Sequence, residues 1–188
     1  MTLDHKYTSL LKVSMPLMVS GFIQSVVLLT DSAFLSRYST IAFDAVGNAG
    51  LLFITCFMIL VGFGDGTQII LARRIGEKKT EQLAHVFTTA LLIQFMIAVM
   101  LFSILFFIAP HWLISISEQQ DIAFLQGNFL SIRSFAFFPG CIFLIVQAYF
   151  LAKGKTWPVL FSAILTALSN VLLDYSLIFG NFGLPEMG

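Results

Sequence analysis

Apolar positions in this chain fall into five long, almost unbroken runs, at about residues 10–36, 47–75, 83–109, 124–151 and 158–179. A bilayer core of about 30 Å needs about 20 residues of helix to cross it, so each run is long enough to span. The runs are continuously apolar and lack the period of two that a barrel strand would show. The pattern predicts an all-α fold, a polytopic membrane helix bundle with five transmembrane helices. Pro110 is expected to stop the third helix, because proline removes a backbone donor and crowds the preceding turn. The first run is too long for the apolar region of a signal peptide, and no small-x-small cleavage site precedes Asp31, so it reads as a retained helix.

Composition changes the picture little. The chain is 58% hydrophobic and 11% charged, with a mean hydropathy of +0.93. That is too little charge to cover a soluble domain of this length. Net charge is zero and gives no reason to expect a nucleic-acid partner. Its placement is more informative. Lys6 and Lys12 precede the first run, Arg73, Arg74, Lys78 and Lys79 follow the second, and Lys153 and Lys155 follow the fourth. The alternate connections hold Arg37, Asp44, Glu118, Asp121 and Glu186. The positive-inside rule makes the basic side cytoplasmic, which predicts a multi-pass cell-membrane protein with a cytoplasmic N-terminus. Five spans would leave Gly188 outside, and the tail GNFGLPEMG reads as a loop that should lead into a sixth helix.

Charges inside the runs point to chemistry. Asp31, Asp65, Arg133 and Asp174 lie within or near the ends of the predicted spans. An Asp at a helix centre costs about 2.5–3.5 kcal/mol on the insertion scale, and each Leu or Ile returns about 0.3–0.6. The first run carries enough Leu, Ile, Val and Phe to insert despite Asp31, whose carboxylate must then face protein or water. In the fifth run, Ser162, Thr166, Asn170 and Asp174 recur every four residues and are expected on one helical face. Ser162 and Thr166 suit interhelical hydrogen bonding or substrate contact. Ser20, Gln24 and Asp31 are expected to share a face of the first helix. Two inward polar stripes, each with a carboxylate, make one candidate ion site. Buried carboxylates take up protons more readily, and carboxylate and amide oxygens also suit a hard cation such as Na+, so H+ and Na+ both remain open as the coupling ion.

Other motifs exclude more than they suggest. GFGDGTQ at 62–68 is not a dinucleotide fingerprint and follows an apolar helix rather than a strand. Its glycines are expected to allow close helix packing, with Asp65 a polar residue in the cytoplasmic half. Arg133 is expected to pair with an acid or the headgroup region, or to touch substrate. Cys56 and Cys141 have neither zinc-site nor disulfide spacing. His85 and His111 have no ligand company, and no nucleophile-base constellation appears. No enzyme, metal centre or organic cofactor is predicted.

At this point the pattern resembles the multidrug and toxic compound extrusion (MATE) transporters. The first helix is similar in Pro16, Gln24, Asp31 and Phe34, and the fifth in NVLLDYSLIFG (170–180). ARRIGEKK (72–79) and LAKGKTWP (151–158) resemble the family's helix ends. The resemblance covers the whole chain. It implies a fold of two six-helix lobes, of which this chain would hold five helices of an incomplete N-terminal lobe. It implies antiport of organic, often cationic compounds against H+ or Na+, with the bilayer, a small organic substrate and a C-terminal lobe as partners. By resemblance, Asp31, Asn170 and Asp174 would bind the coupling ion, Gln24 would neighbour them, and the first helix would bend at Pro16. Ser36 and Asp65 depart from the family pattern. A lipid-carrier flippase of related architecture, or a non-transporting membrane fragment, are the alternatives.

Overall fold

A computed structural model of the chain describes residues 3–38, 40–116 and 119–178. Among these there is no strand. The helices are α1 (Leu3–Tyr38), α2 (Thr40–Gly76), α3 (Glu81–Ser103), a π-helical turn (Ile104–Ile108), α4 (Ala109–Ile116), α5 (Gln120–Ser134), α6 (Phe137–Ala152) and α7 (Trp157–Ile178). They divide into two compact units, residues 1–40 with 154–188, and residues 41–153. Phe179, Gly180 and Glu186 lie outside the described residues, as does the side chain of Lys6.

α1 and α2 outrun their apolar runs, and so does α3 when it is taken together with the π turn and α4, because in lipid each backbone polar group must be satisfied within its own segment. The prolines show how this is managed. Pro110 does not stop the third span, contrary to expectation. The π turn at Ile104–Ile108 lets the N–H of Ala109 reach the carbonyl of Ile104, five residues back. The wider turn takes up the proline's steric demand, and the helix resumes as α4. The fourth span is not continuous either. α5 and α6 meet at a 46° bend. Pro139 in the first turn of α6 cannot donate to the carbonyl of Phe135, and the N–H of Phe138 bonds it instead at 3.3 Å. Pro158 falls in the first turn of α7, where a missing N–H costs nothing.

α1 and α7 pack along each other within their unit. Residues 11–19 and 154–160 line one shared crevice of about 980 Å³. The N-terminal ends of the two helices are therefore side by side, and the helices run parallel. Parallel spans need an odd number of crossings between them. α2, α3 with α4, and α5 with α6 supply three only if the bent pair crosses once. Among the described residues, four helices are apolar and long enough to span alone, and this pair makes the fifth.

The second unit is built on small residues that let helices approach, and on stacked rings. Ala90, Gln94, Ala98 and Leu101 form the buried edge of α3, and Phe137, Cys141, Ile145 and Ala148 that of α6. The rings of Phe53 and Phe137 stack with centroids 5.0 Å apart. Gly127 of α5 lies so close to Pro110 that an added Cβ would come within 3.0 Å of the proline Cβ and 3.2 Å of its Cα.

α2 ends in a Schellman arrangement. Lys79 N–H bonds Arg74 O at 3.0 Å and Lys78 N–H bonds Ile75 O at 3.0 Å. Lys78 occupies the left-handed position at φ 58°, where glycine is usual. The turn places Glu77 between Arg73 at 2.9 Å, Arg74 at 3.1 Å and Lys79 at 3.1 Å. The Arg73 hydrogen bond first, and that of Lys79 second, lower its pKa from 4.5 to about 2.

Two outcomes follow for the full-length protein. Gly127→Ala should lower thermal stability in detergent by about 1–3 kcal/mol, since the proline ring cannot swing aside. Glu77 favours the folded state above its unfolded pKa of about 4.5, and that contribution is lost as pH falls through about 2. A titration of labelled Glu77 by NMR should show the low midpoint, and Arg73→Gln should move it upward; an unmoved midpoint would discard the Arg73 bond as its cause.

Candidate functional site

The α1–α7 seam explains which polar residues meet. On α1 it runs through Pro16, Ser20, Ile23, Val27 and Asp31, all buried or half-buried. On α7 it runs through Leu160, Ala163, Ala167, Asn170 and Asp174. Asp31 lies nineteen residues beyond Lys12, and Asp174 nineteen beyond Lys155. At a helical rise of about 1.5 Å per residue, Asp31 stands about 28 Å beyond Lys12, and Asp174 about 26 Å beyond Trp157 at the start of α7. Parallel packing sets both carboxylates toward the same far end of the helix pair, with Asn170 one turn before Asp174. Oδ1 of Asp31 and Oδ1 of Asn170 are both buried. The Asn170 oxygen has no hydrogen-bond partner among the described residues.

The seam also corrects one expectation, that of a single polar face on α7. Four residues advance a helix by about 400°, so a four-residue stripe drifts by about 40° per step. Ser162, Thr166, Asn170 and Asp174 therefore wind around α7 instead of sharing one face. Asn170 and Asp174 straddle the seam, Thr166 is exposed, and Ser162 is half-buried with its hydroxyl donated to Val159 O at 2.8 Å. Gln24 is exposed as well. It lies about 40° from Ser20 and about 20° from Asp31, so the three share a face of α1 as expected, with Gln24 at its exposed edge. Ser20 is buried and donates to the carbonyl of Pro16 at 2.8 Å.

Pro16 sits inside an unbroken α1. It cannot donate to the carbonyl of Lys12, which loses its helical partner. Arg133 does not pair with an acid among the described residues. Its guanidinium lies over the ring of Phe53, 5.2 Å from the centroid. Of the glycines in GFGDGTQ, Gly64 packs against Leu144 as expected. Gly62 and Gly66 face open space. Asp65 is exposed beside them.

One polar residue escaped the sequence reading. Gln94 of α3 is fully buried, and its Nε2 donates to Leu60 O of α2 at 3.3 Å. Its Oε1 is buried without a partner among the described residues. A lone Gln in an apolar run carries no periodic signal. Its value as a clue was simply that it was the one polar side chain near the middle of that run.

With this geometry in hand, comparison with known proteins is decisive for the family. The MatE family model matches residues 16–176. The chain belongs to the MatE family. It is 30% identical over 129 residues to the probable multidrug resistance protein NorM of Bacillus cereus, covering 69% of this chain and 28% of that protein. It is 25% identical over 186 residues to the NorM protein of Streptococcus pneumoniae, covering 99% of this chain and 41% of the relative. Among solved structures it is similar to a MOP superfamily transporter from Pyrococcus furiosus, with a TM-score of 0.86 at 20% identity over 94% of this chain and 39% of that one. An outward-facing multidrug resistance MATE family transporter gives 0.83 at 20% identity, covering 94% and 39%. These likenesses show the fold. The MATE chain thus spans less than half the length of the relatives it matches.

In the full-length MATE protein, Gln94→Leu should leave thermal stability unchanged or raise it by up to about 1 kcal/mol, because it removes an unpaired buried oxygen at similar volume. Gln94→Ala should lower it by about 2 kcal/mol or more through the cavity it leaves. A marked loss of stability in the Leu variant would show that the Gln94–Leu60 bond holds α2 to α3.

Proposed function

We propose that this chain is the N-terminal lobe of a secondary active multidrug transporter that exchanges organic, often cationic compounds for H+ or Na+. In this reading the protein lies in the cell membrane with its N-terminus cytoplasmic, and a C-terminal lobe completes it. What supports the reading is the packing of α1 along α7, two helices that each carry an intramembrane carboxylate, together with the Oδ1 of Asn170, buried without a partner among the described residues.

The chemistry of the residues fits a small cation. A lone carbonyl oxygen accepts and never donates, so what satisfies Asn170 Oδ1 is a hydrogen-bond donor or a cation. A carboxyl proton on Asp31 or Asp174 answers that need. So does Na+, whose preference for oxygen ligands parallels that of other hard cations. Ion binding then favours a state in which the seam is closed, and binding of an organic cation elsewhere favours the ionised state. Two ligands that prefer different states exchange for one another. Pro16 is assigned the bend in α1. The exposed Gln24 and Thr166 are assigned to contacts beyond this helix pair, with substrate or with the C-terminal lobe. A lipid-carrier flippase would call for intramembrane cations. Among the described residues Arg133 is the candidate, and it is engaged with Phe53.

In the full-length transporter, Asp31→Asn should abolish gradient-driven efflux from energised vesicles while membrane insertion and thermal stability are kept. Undiminished efflux would remove Asp31 from the ion site. Imposing a pH gradient and a Na+ gradient separately on the wild type identifies the coupling ion by which one drives efflux.

A further inference from the structure

Asp65 is an intramembrane charge that the α1–α7 site does not use. It lies eight residues before Arg73 in α2, which puts it about 12 Å inside the basic end of that helix. It is exposed, and among the described residues it makes neither an ion pair nor a hydrogen bond. With Gln68 and Gln147 it lines a crevice of about 80 Å³ between α2 and α6. The two glutamine amides are likewise unbonded among the described residues. Gln147 lies six residues before Lys153, so all three groups sit within about 12 Å of the basic helix ends.

The helix surface beside the carboxylate is bare. A Cβ added at Gly62 or Gly66 would meet nothing within 4 Å, while Gly64, between them in sequence, is used for packing on Leu144. Packing therefore accounts for one of the three glycines. The other two leave the backbone open to something large. An ionised Asp at this depth, with no counter-charge on its own unit, is unfavourable against lipid and belongs against water or a cation. The acceptors offered are a carboxylate and two amide oxygens. The nearby basic side chains are already engaged: Arg73 and Arg74 pair with Glu77, and Lys153 lies over the ring of Tyr149.

We propose that Asp65, Gln68 and Gln147 form a recognition subsite for organic cations, in which bulky apolar groups rest on the bare helix surface at Gly62 and Gly66. The proposal rests on the transporter reading above but uses none of the ion-site residues. Its probes are tetraphenylphosphonium and tetraphenylborate, ions of nearly the same shape and opposite charge, bound to purified full-length transporter at equilibrium. Asp65→Asn should weaken tetraphenylphosphonium binding by about tenfold and leave tetraphenylborate unchanged or tighter, because the phosphonium donates no hydrogen bond and feels the carboxylate only through its charge. Asp65→Glu should restore most of the affinity. Gly66→Leu, whose Cβ would meet nothing within 4 Å, should weaken both ions without lowering thermal stability. Equal loss of both ions in Asp65→Asn, no loss of either, or unchanged binding in Gly66→Leu would each overturn the subsite. Efflux that persists with an unaltered KM for tetraphenylphosphonium in Asp65→Asn would overturn it while leaving the transporter reading intact. A wild-type protein that neither exports nor binds either ion would overturn both.

Discussion

Lipid offers a polypeptide no hydrogen bonds, and nearly every feature of this chain follows from that one constraint. Each backbone donor and acceptor must be answered inside its own segment, so helix, broken or not, fills the apolar segments. Side chains obey the same rule by leaning on nearby carbonyls. Ser20, Ser25, Thr30 and Ser32 along α1 all donate to a carbonyl four residues back. Thr55, Thr67 and Thr88 do so on α2 and α3. These hydroxyls are quenched locally and carry little information about function. The groups that cannot be quenched in this way are the carboxylates and the amides, and they are the ones that mark sites.

The four prolines inside or beside spans meet the constraint in different ways. Pro158 is placed where no donor is needed. Pro139 is taken up by a bend between α5 and α6, and Pro110 by one wide turn. In α1 the helix passes Pro16 with neither a break nor a π turn. The carbonyl of Lys12 then lacks its helical donor, and the ladder is weakest between Lys12 and Pro16. A helix so built bends at that point at lower cost than anywhere else along it.

How much of this could be read in the sequence depended on whether the signal was a run or an angle. Runs were legible. The five spans, their all-helical character and the basic clustering at alternate ends follow from continuous apolarity and from the places where charge interrupts it. Angles were legible over one turn but not over three. Asn170 with Asp174 can be paired from spacing alone, whereas adding Thr166 and Ser162 fails because the 40° drift per step accumulates. Proline was misread at position 110 for a related reason. Its effect depends on hydrogen bonds five residues away, and a rule written for the interior of an ideal α-helix does not contain them. An acid is one of the partners that the sequence suggests for Arg133, beside the headgroup region and substrate, but a guanidinium is weakly hydrated and stacks on a ring when one is placed for it.

The glycines of GFGDGTQ show why packing and binding must be separated residue by residue. Close helix approach explains a glycine only where a Cβ would touch the neighbour, and in this segment that holds at Gly64, with Leu144 3.5 Å away. At Gly62 and Gly66 the same explanation has nothing to act on. Glycine in a helix interior costs about 1 kcal/mol relative to alanine, through chain entropy and exposed backbone. Two such residues flanking an intramembrane carboxylate make α2 less stable than alanines would, and no contact within the described residues offsets that cost. On the proposal made above, an organic cation resting on the helix at Gly62 and Gly66 supplies that offset at the place where Asp65 presents its charge.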